Sequence, residues 1–177
     1  AVNIHNRDYI VAAWVDIPGP GASGVLFAQG SHFGGHALYI KDNRLHYVNN
    51  FVGMIEDKIV ATEDMPVGED LIVSAAFVKD GEDPPGVSTG ILSLYHGEQK
   101  VGDGRIKTQP GMFGLSGTDL TVGRSTTAIT DDYPGELPWS FTGGTIKTVA
   151  VDVSGEPYVD LERAAAGAVW GGLFNAG

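Results

Sequence analysis

Asp131, Asp132 and Glu136 place three carboxylates in one short stretch that also holds Tyr133 and Trp139. Carboxylates and backbone carbonyls together supply the hard oxygen ligands that calcium takes, so this stretch is a candidate metal site. Two adjacent Asp residues do not fill the six to eight positions of a calcium ion, and Glu136 is the natural third ligand. The competing reading is a solvated acidic loop, with one Asp turning back on its own backbone. Tyr133, Trp139 and Phe141 lie among prolines, and an exposed aromatic face is the usual platform on which a sugar ring stacks. The same rings could instead plug one end of a β-structure.

His32, His36 and His46 recur around the segment Gly30-Ser-His-Phe-Gly-Gly35, which is either a ligand-binding loop or a bend. Imidazoles so placed could bind a ligand or gather round a metal, but the helical spacing of His32 and His36 is interrupted by Phe33-Gly34-Gly35. Structural or surface histidines are the alternative. Arg124, after Gly123, could meet a sulfate or an acidic partner, or close a structural ion pair. For acid/base chemistry the chain offers little: Glu56-Asp57 and Glu63-Asp64 are neighbours in sequence, and a strand sends neighbours to opposite faces. No Ser-His-Asp set and no phosphate-cradling glycine motif is present.

The 177 residues suit one domain, which buries roughly two thirds of its unfolded surface. A formal net charge of -11 repels phosphate backbones and anionic lipid, which argues against nucleic acid as a partner. Cysteine is absent, so disulfides, thiolate metal sites and cysteine nucleophiles are excluded. No apolar run approaches the roughly 20 residues that cross a bilayer, and Ala1 opens no basic segment followed by an apolar signal region. The expectation is a soluble domain, cut from a longer protein, in an undetermined compartment.

The 26 glycines and 9 prolines punctuate short strands. Tyr9 to Ile17 alternates apolar and other residues and stops at Pro18-Gly19-Pro20-Gly21. Further strands are predicted over Gly24–Gln29, Ala37–Lys41, Arg44–Asn49, Met54–Val60, Glu69–Val78, Gly90–His96, Gln99–Ile106 and Thr145–Val153. Asp42-Asn43 and Gly97-Glu98 read as two-residue hairpin turns. Lys79 to Ser88, with Pro84-Pro85, reads as an exposed loop, and Val122 to Val153 as a sheet edge beside a ligand or ion site, its Phe141–Val153 part inside the core. Turns about every ten residues favour an all-β, antiparallel two-sheet β-sandwich or jelly roll over residues 1–157. Asp160 can cap a short helix, packed on the sandwich within 158–170, and 171–177 reads as a flexible tail.

Val25-Leu-Phe-Ala-Gln-Gly30, Phe33-Gly-Gly35, Leu38-Tyr-Ile-Lys-Asp42, Arg44-Leu-His-Tyr-Val48 and Asn50-Phe-Val-Gly53 run in order along the first third. Val122-Gly-Arg-Ser125, Asp131-Asp-Tyr133, Phe141-Thr-Gly143 and Thr145-Ile146 follow in the last. Over residues 6 to 162 this series resembles the C-terminal accessory domain of large bacterial arylsulfatases. The resemblance implies a concanavalin-like or laminin-G-like sandwich attached to a sulfate-ester hydrolase domain, often with calcium at a loop rim. The hydrolase signature, a Cys or Ser followed by Pro or Ala and then Arg, is absent from this chain. Gly144 and the acidic insert Pro134–Pro138 also depart from the family pattern. The expected function is therefore non-catalytic: an accessory domain packing on a sulfatase-like catalytic domain or on another copy of itself. The alternative is a lectin-like module for a saccharide or sulfated ligand, with calcium as its candidate cofactor.

Overall fold

The computed structural model describes residues 8–31, 33–85, 87–108, 120–153 and 156–159. It is an antiparallel β-sandwich with no α-helix among the described residues. The strands are β1 (Tyr9–Ile17), β2 (Gly24–Ser31), β3 (Gly34–Lys41), β4 (Arg44–Phe51), β5 (Ile55–Val60) and β6 (Gly68–Glu82). They continue as β7 (Ser88–His96), β8 (Gln99–Lys107), β9 (Thr121–Val122), β10 (Thr145–Val153) and β11 (Glu156–Val159). One sheet runs in the order β11-β10-β1-β6-β7-β8 and the other in the order β5-β4-β3-β2-β9.

The alternation in β1 does what period two requires, since Tyr9, Val11, Ala13, Val15 and Ile17 are all buried between the sheets. Leu26 and Phe27 of β2, Leu38 and Ile40 of β3, Leu45 and Tyr47 of β4, Val73, Ala75 and Phe77 of β6, Leu92 and Leu94 of β7, Val101 and Ile106 of β8, and Val149 and Val151 of β10 belong to the same core. Each large apolar side chain so buried contributes roughly 1.5–3 kcal/mol. Asp42 and Asn43 both adopt positive φ, 53° and 60°, between the paired residues Lys41 and Arg44. That is the left-handed pair a tight hairpin needs.

Three expectations change. The segment Lys79–Ser88 is not a loop throughout: β6 and β7 stay paired to Glu82 and Ser88 across a bulge at Lys79/Gly81. Proline bars only its own positions from the ladder, and Arg105 of β8 holds Asp80 with two bonds of 2.9 and 2.8 Å. β10 is not a sheet edge over Ala150–Val153, where it pairs with β1 on one side and β11 on the other. Tyr158 and Val159, which begin the segment 158–170 ahead of the Asp160 cap, belong to β11, where they pair with Val151 and Ala150. The expected helix and tail lie outside the described residues. No helix among the described residues is long and apolar enough to cross a membrane.

Candidate functional site

Period two gives the five-stranded sheet a second apolar face, turned away from the core. Val25 and Ala28 of β2, Ala37 and Tyr39 of β3, and Val48 of β4 are buried on it, packed with Ile129 and Tyr133. Residues 123–142 supply that cover, crossing the outer face as a strap between β9 and β10. Most of the candidate residues of the sequence lie on this strap.

Its two ends are fixed through the backbone. The Gly123 amide donates to Leu26 O (3.0 Å), Val25 N to Trp139 O (3.0 Å), and Ser23 and Thr142 exchange bonds of 3.0 and 2.7 Å. Gly24 makes this close approach possible: its φ is +109°, and a Cβ on Gly24 would stand 2.2 Å from Ser140 O. The middle of the strap is held by side chains. Asn50 Nδ2 donates to Ile129 O (2.9 Å), Thr127 Oγ1 to Gly30 O (3.1 Å), and Thr130 Oγ1 to Glu56.

Asp132 is the strongest anchor. Tyr39 OH donates to its Oδ2 and Lys41 Nζ to its Oδ1, both at 2.6 Å, and Lys58 Nζ lies 3.4 Å from Oδ2. Burial pushes this carboxyl up, but Lys41, Tyr39 and Lys58 together outweigh it and hold the group at about 2. Burial, then the Asp132 carboxylate, drives the Tyr39 hydroxyl in the other direction, so it stays a donor far above its ordinary range. His46, with its ring 5.0 Å from that of Tyr39, titrates below its ordinary value because it is buried, and Lys58 and Lys41 add to the effect. It is neutral near pH 7.

Beside this anchor, Tyr133 stands edge-on to Tyr39 at 5.3 Å, its hydroxyl donating to Ser125 Oγ (3.3 Å), and Trp139 packs on Tyr133 at 5.0 Å. Trp139 has φ +54°, a conformation that costs a non-glycine residue about 1–3 kcal/mol and that surrounding contacts must hold. The Trp139 amide donates to Glu136 O (2.6 Å), closing a tight turn that leaves the indole partly exposed. Trp139 lines a groove of about 280 Å³ together with Ser23, Gly24, Pro134, Gly135, Glu136, Ser140 and Thr142. An aromatic residue, three hydroxyl-bearing residues and one acidic residue thus line it, with Ser23 Oγ donating to Ile40 O (3.5 Å) and Thr142 Oγ1 to Ser23 O (3.4 Å).

The predicted site residues thus separate. Trp139 and Glu136 share the groove, whereas Tyr133 is buried beneath Trp139 and supports it, correcting its assignment as a ligand contact. Arg124 is exposed on the strap and does not line the groove. His36 is corrected outright: it is fully buried between the sheets, with Nδ1 2.9 Å from Tyr47 OH and Nε2 3.3 Å from Gln29 Oε1. Tyr9 OH extends the chain to Tyr47 OH at 2.5 Å. His32 lies outside the described residues. For calcium, Asp131 is exposed and Glu136 faces the groove, while Asp132 has its oxygens committed to Tyr39, Lys41 and Lys58. Among the described residues no three His, Asp or Glu side chains are grouped as a metal site. Sequence reasoning missed Tyr39, Lys41 and Lys58 as anchors, and Ser23, Ser140 and Thr142 as groove walls.

No family model matches the chain, and no curated protein matches it. Solved structures do. Domains LG4-5 of the mouse laminin α1 chain superpose with a TM-score of 0.56 at 12% identity, covering 92% of this chain and 39% of that one. The LG1-3 region of the laminin α2 chain gives 0.54 at 12% identity, over 87% of this chain and 28% of that one. The CBM40 of a Ruminococcus gnavus IT-sialidase gives 0.51 at 14% identity, over 92% of this chain and 83% of that one. At these identities the likeness is one of fold: the chain is a laminin-G-like β-sandwich. It spans about two fifths of the laminin α1 fragment, and none of the three is an arylsulfatase.

Proposed function

We propose that this domain is a non-catalytic carbohydrate-binding module that takes a saccharide in the groove beside Trp139. The observation that carries the reading is the indole itself. It is held in a left-handed backbone conformation on the buried Tyr133 ring, and it flanks a groove whose polar walls are Ser23, Glu136, Ser140 and Thr142. A ring fixed in advance on a packed second ring loses little freedom when a sugar stacks on it. The laminin-G-like fold, shared with a module named as carbohydrate-binding, supports the same reading.

Titration of an oligosaccharide panel into the wild-type domain and Trp139→Ala tests it, with calcium and with a chelator. A saccharide that binds the wild type and binds Trp139→Ala at least about tenfold more weakly supports the groove. Equal affinity for both proteins removes it. Calcium through Asp131 and Glu136 is supported only by binding or thermal stabilisation that the chelator abolishes.

A second reading rests on a different place. Phe33 (76% exposed) in the β2–β3 turn and Met54 (79%) in the β4–β5 turn lie at the same end of the five-stranded sheet, where Gly35 pairs with Asn50, and Ile55 (48%) adjoins them. An apolar tip of this kind fits an accessory domain seated on an arylsulfatase-like catalytic domain or on a second copy. Light scattering on the wild type and on Met54→Asp distinguishes the self-associating form from a monomer.

A further inference from the structure

A second groove, of about 550 Å³, lies at the ends of β1, β6 and β10, lined by Asp16, Ile17, Pro18, Val67, Gly68, Glu69, Gly144 and Thr145. Two of its three lining segments, Asp16–Pro18 and Gly144–Thr145, lie a few residues along the chain from segments that line the Trp139 groove. Ser140 and Thr142 face the Trp139 groove while Gly144 and Thr145 face the second; Ser23 and Gly24 face the one while Asp16 to Pro18 face the other. Between them the two chain segments are pressed together, through the Ser23–Thr142 pair and at Gly143, where a Cβ would stand 2.8 Å from Ala22 Cα. A Cβ on Gly144 would stand 2.4 Å from Asp16 O. Between the grooves Gly143 thus packs on Ala22, with the Phe141 ring and the Ile17 side chain beside Gly144. From Thr142 to Gly144 an extended chain advances only about 7 Å.

The charge on these walls is of one sign. Asp16 and Glu69 line the second groove and Glu136 the Trp139 groove, and no Lys or Arg lines either. Lys147, outside both grooves, is 3.4 Å from Asp16 and is bonded to Asp70. Asp16 Oδ1 also accepts the Asp70 amide at 2.8 Å, which fixes its carboxylate in place. Carboxylates of this kind accept from sugar hydroxyls and from the ammonium of an amino sugar, and they repel sulfate and carboxylate groups, a repulsion that the net charge of -11 reinforces.

We infer that the two grooves form one path over the Gly143–Ala22 ridge for an extended, non-anionic oligosaccharide, whose hydroxyl or ammonium groups meet Glu136, Asp16 and Glu69. This rests on the saccharide reading of the Trp139 groove and narrows its ligand class, setting aside a sulfated ligand held by Arg124.

The test is calorimetric titration of disaccharides and hexasaccharides of β-linked glucose, xylose, mannose, N-acetylglucosamine and glucosamine, beside heparin-derived sulfated oligosaccharides. The proteins are the wild type, Glu69→Gln, Arg124→Ala and Trp139→Ala. The expected result is a neutral or amino hexasaccharide binding about tenfold or more tighter than its disaccharide. Glu69→Gln removes most of that length advantage and leaves the disaccharide unchanged; Trp139→Ala loses both lengths. Trp139-dependent binding with no length advantage, or with one that Glu69→Gln does not touch, overturns the inference and leaves the module reading standing. Tighter binding of the sulfated series, lost in Arg124→Ala, overturns the ligand class. Failure of every saccharide to bind overturns both.

Discussion

Tyr39 and Asp132 meet at 2.6 Å across 93 residues of sequence, and with Lys41 and Lys58 they hold the strap on the outer face of the five-stranded sheet. Asp132→Ala removes the acceptor of a largely buried hydroxyl and leaves two lysines facing one another. A loss of about 1–3 kcal/mol is expected, read as a lower urea midpoint at unchanged slope. Lys41→Met, which removes only a partly exposed partner, costs at most about 1 kcal/mol.

The same carboxylate sets an acid limit. Its folded-state value is held down at about 2, below the unfolded value of about 3.9. A depressed carboxyl contributes stability that is complete above the unfolded value and is lost as pH falls through the folded one. The difference in melting temperature between wild type and Asp132→Asn should be constant above about pH 5 and should shrink steadily toward pH 2. A difference independent of pH across that window contradicts the anchor.

His36 belongs to stability and not to binding. With the proton on Nε2 it donates to Gln29 and accepts from Tyr47, which leaves no polar atom of this internal chain facing an apolar wall. His36→Leu strands those partners, and we expect a loss of about 1–3 kcal/mol. In a domain of this size that is a fall of about 2–4 °C per kcal/mol. Saccharide affinity should be unchanged; a selective loss of affinity at full stability would return His36 to the site.

Thr148 of β10 predicts the opposite sign. It is fully buried opposite Trp14, and its hydroxyl has no hydrogen-bond partner among the described residues. Thr148→Val keeps the shape and removes the unmet group, so stability should rise, by up to about 1 kcal/mol. A lower melting temperature would show that the hydroxyl is bonded.

The strands were readable because alternation and turn residues are local signals: Tyr9–Ile17 and the Asp42-Asn43 turn stand where the sequence places them. The inward position of His36 was readable too, since it shares its parity along β3 with the core residues Leu38 and Ile40, and the glycines beside it drew attention to a loop instead. The strap was not. Its residues show no period, and its burial depends on Tyr39, Lys41 and Lys58, whose distance in sequence leaves no local trace. Hence Asp132 reads as a free ligand in the sequence and is a bound anchor in the fold.

The strap also sets an order of events during folding. Because they close loops of 91 to 93 residues, the strap contacts are expected to form after the hairpins β2–β3 and β3–β4 have paired. Until the strap docks, Val25, Tyr39 and Val48 would stand open to water on the paired strands β2, β3 and β4. That transient face is the surface through which newly made or refolding chains would aggregate, so refolding yield should fall with protein concentration more steeply for Asp132→Ala than for the wild type.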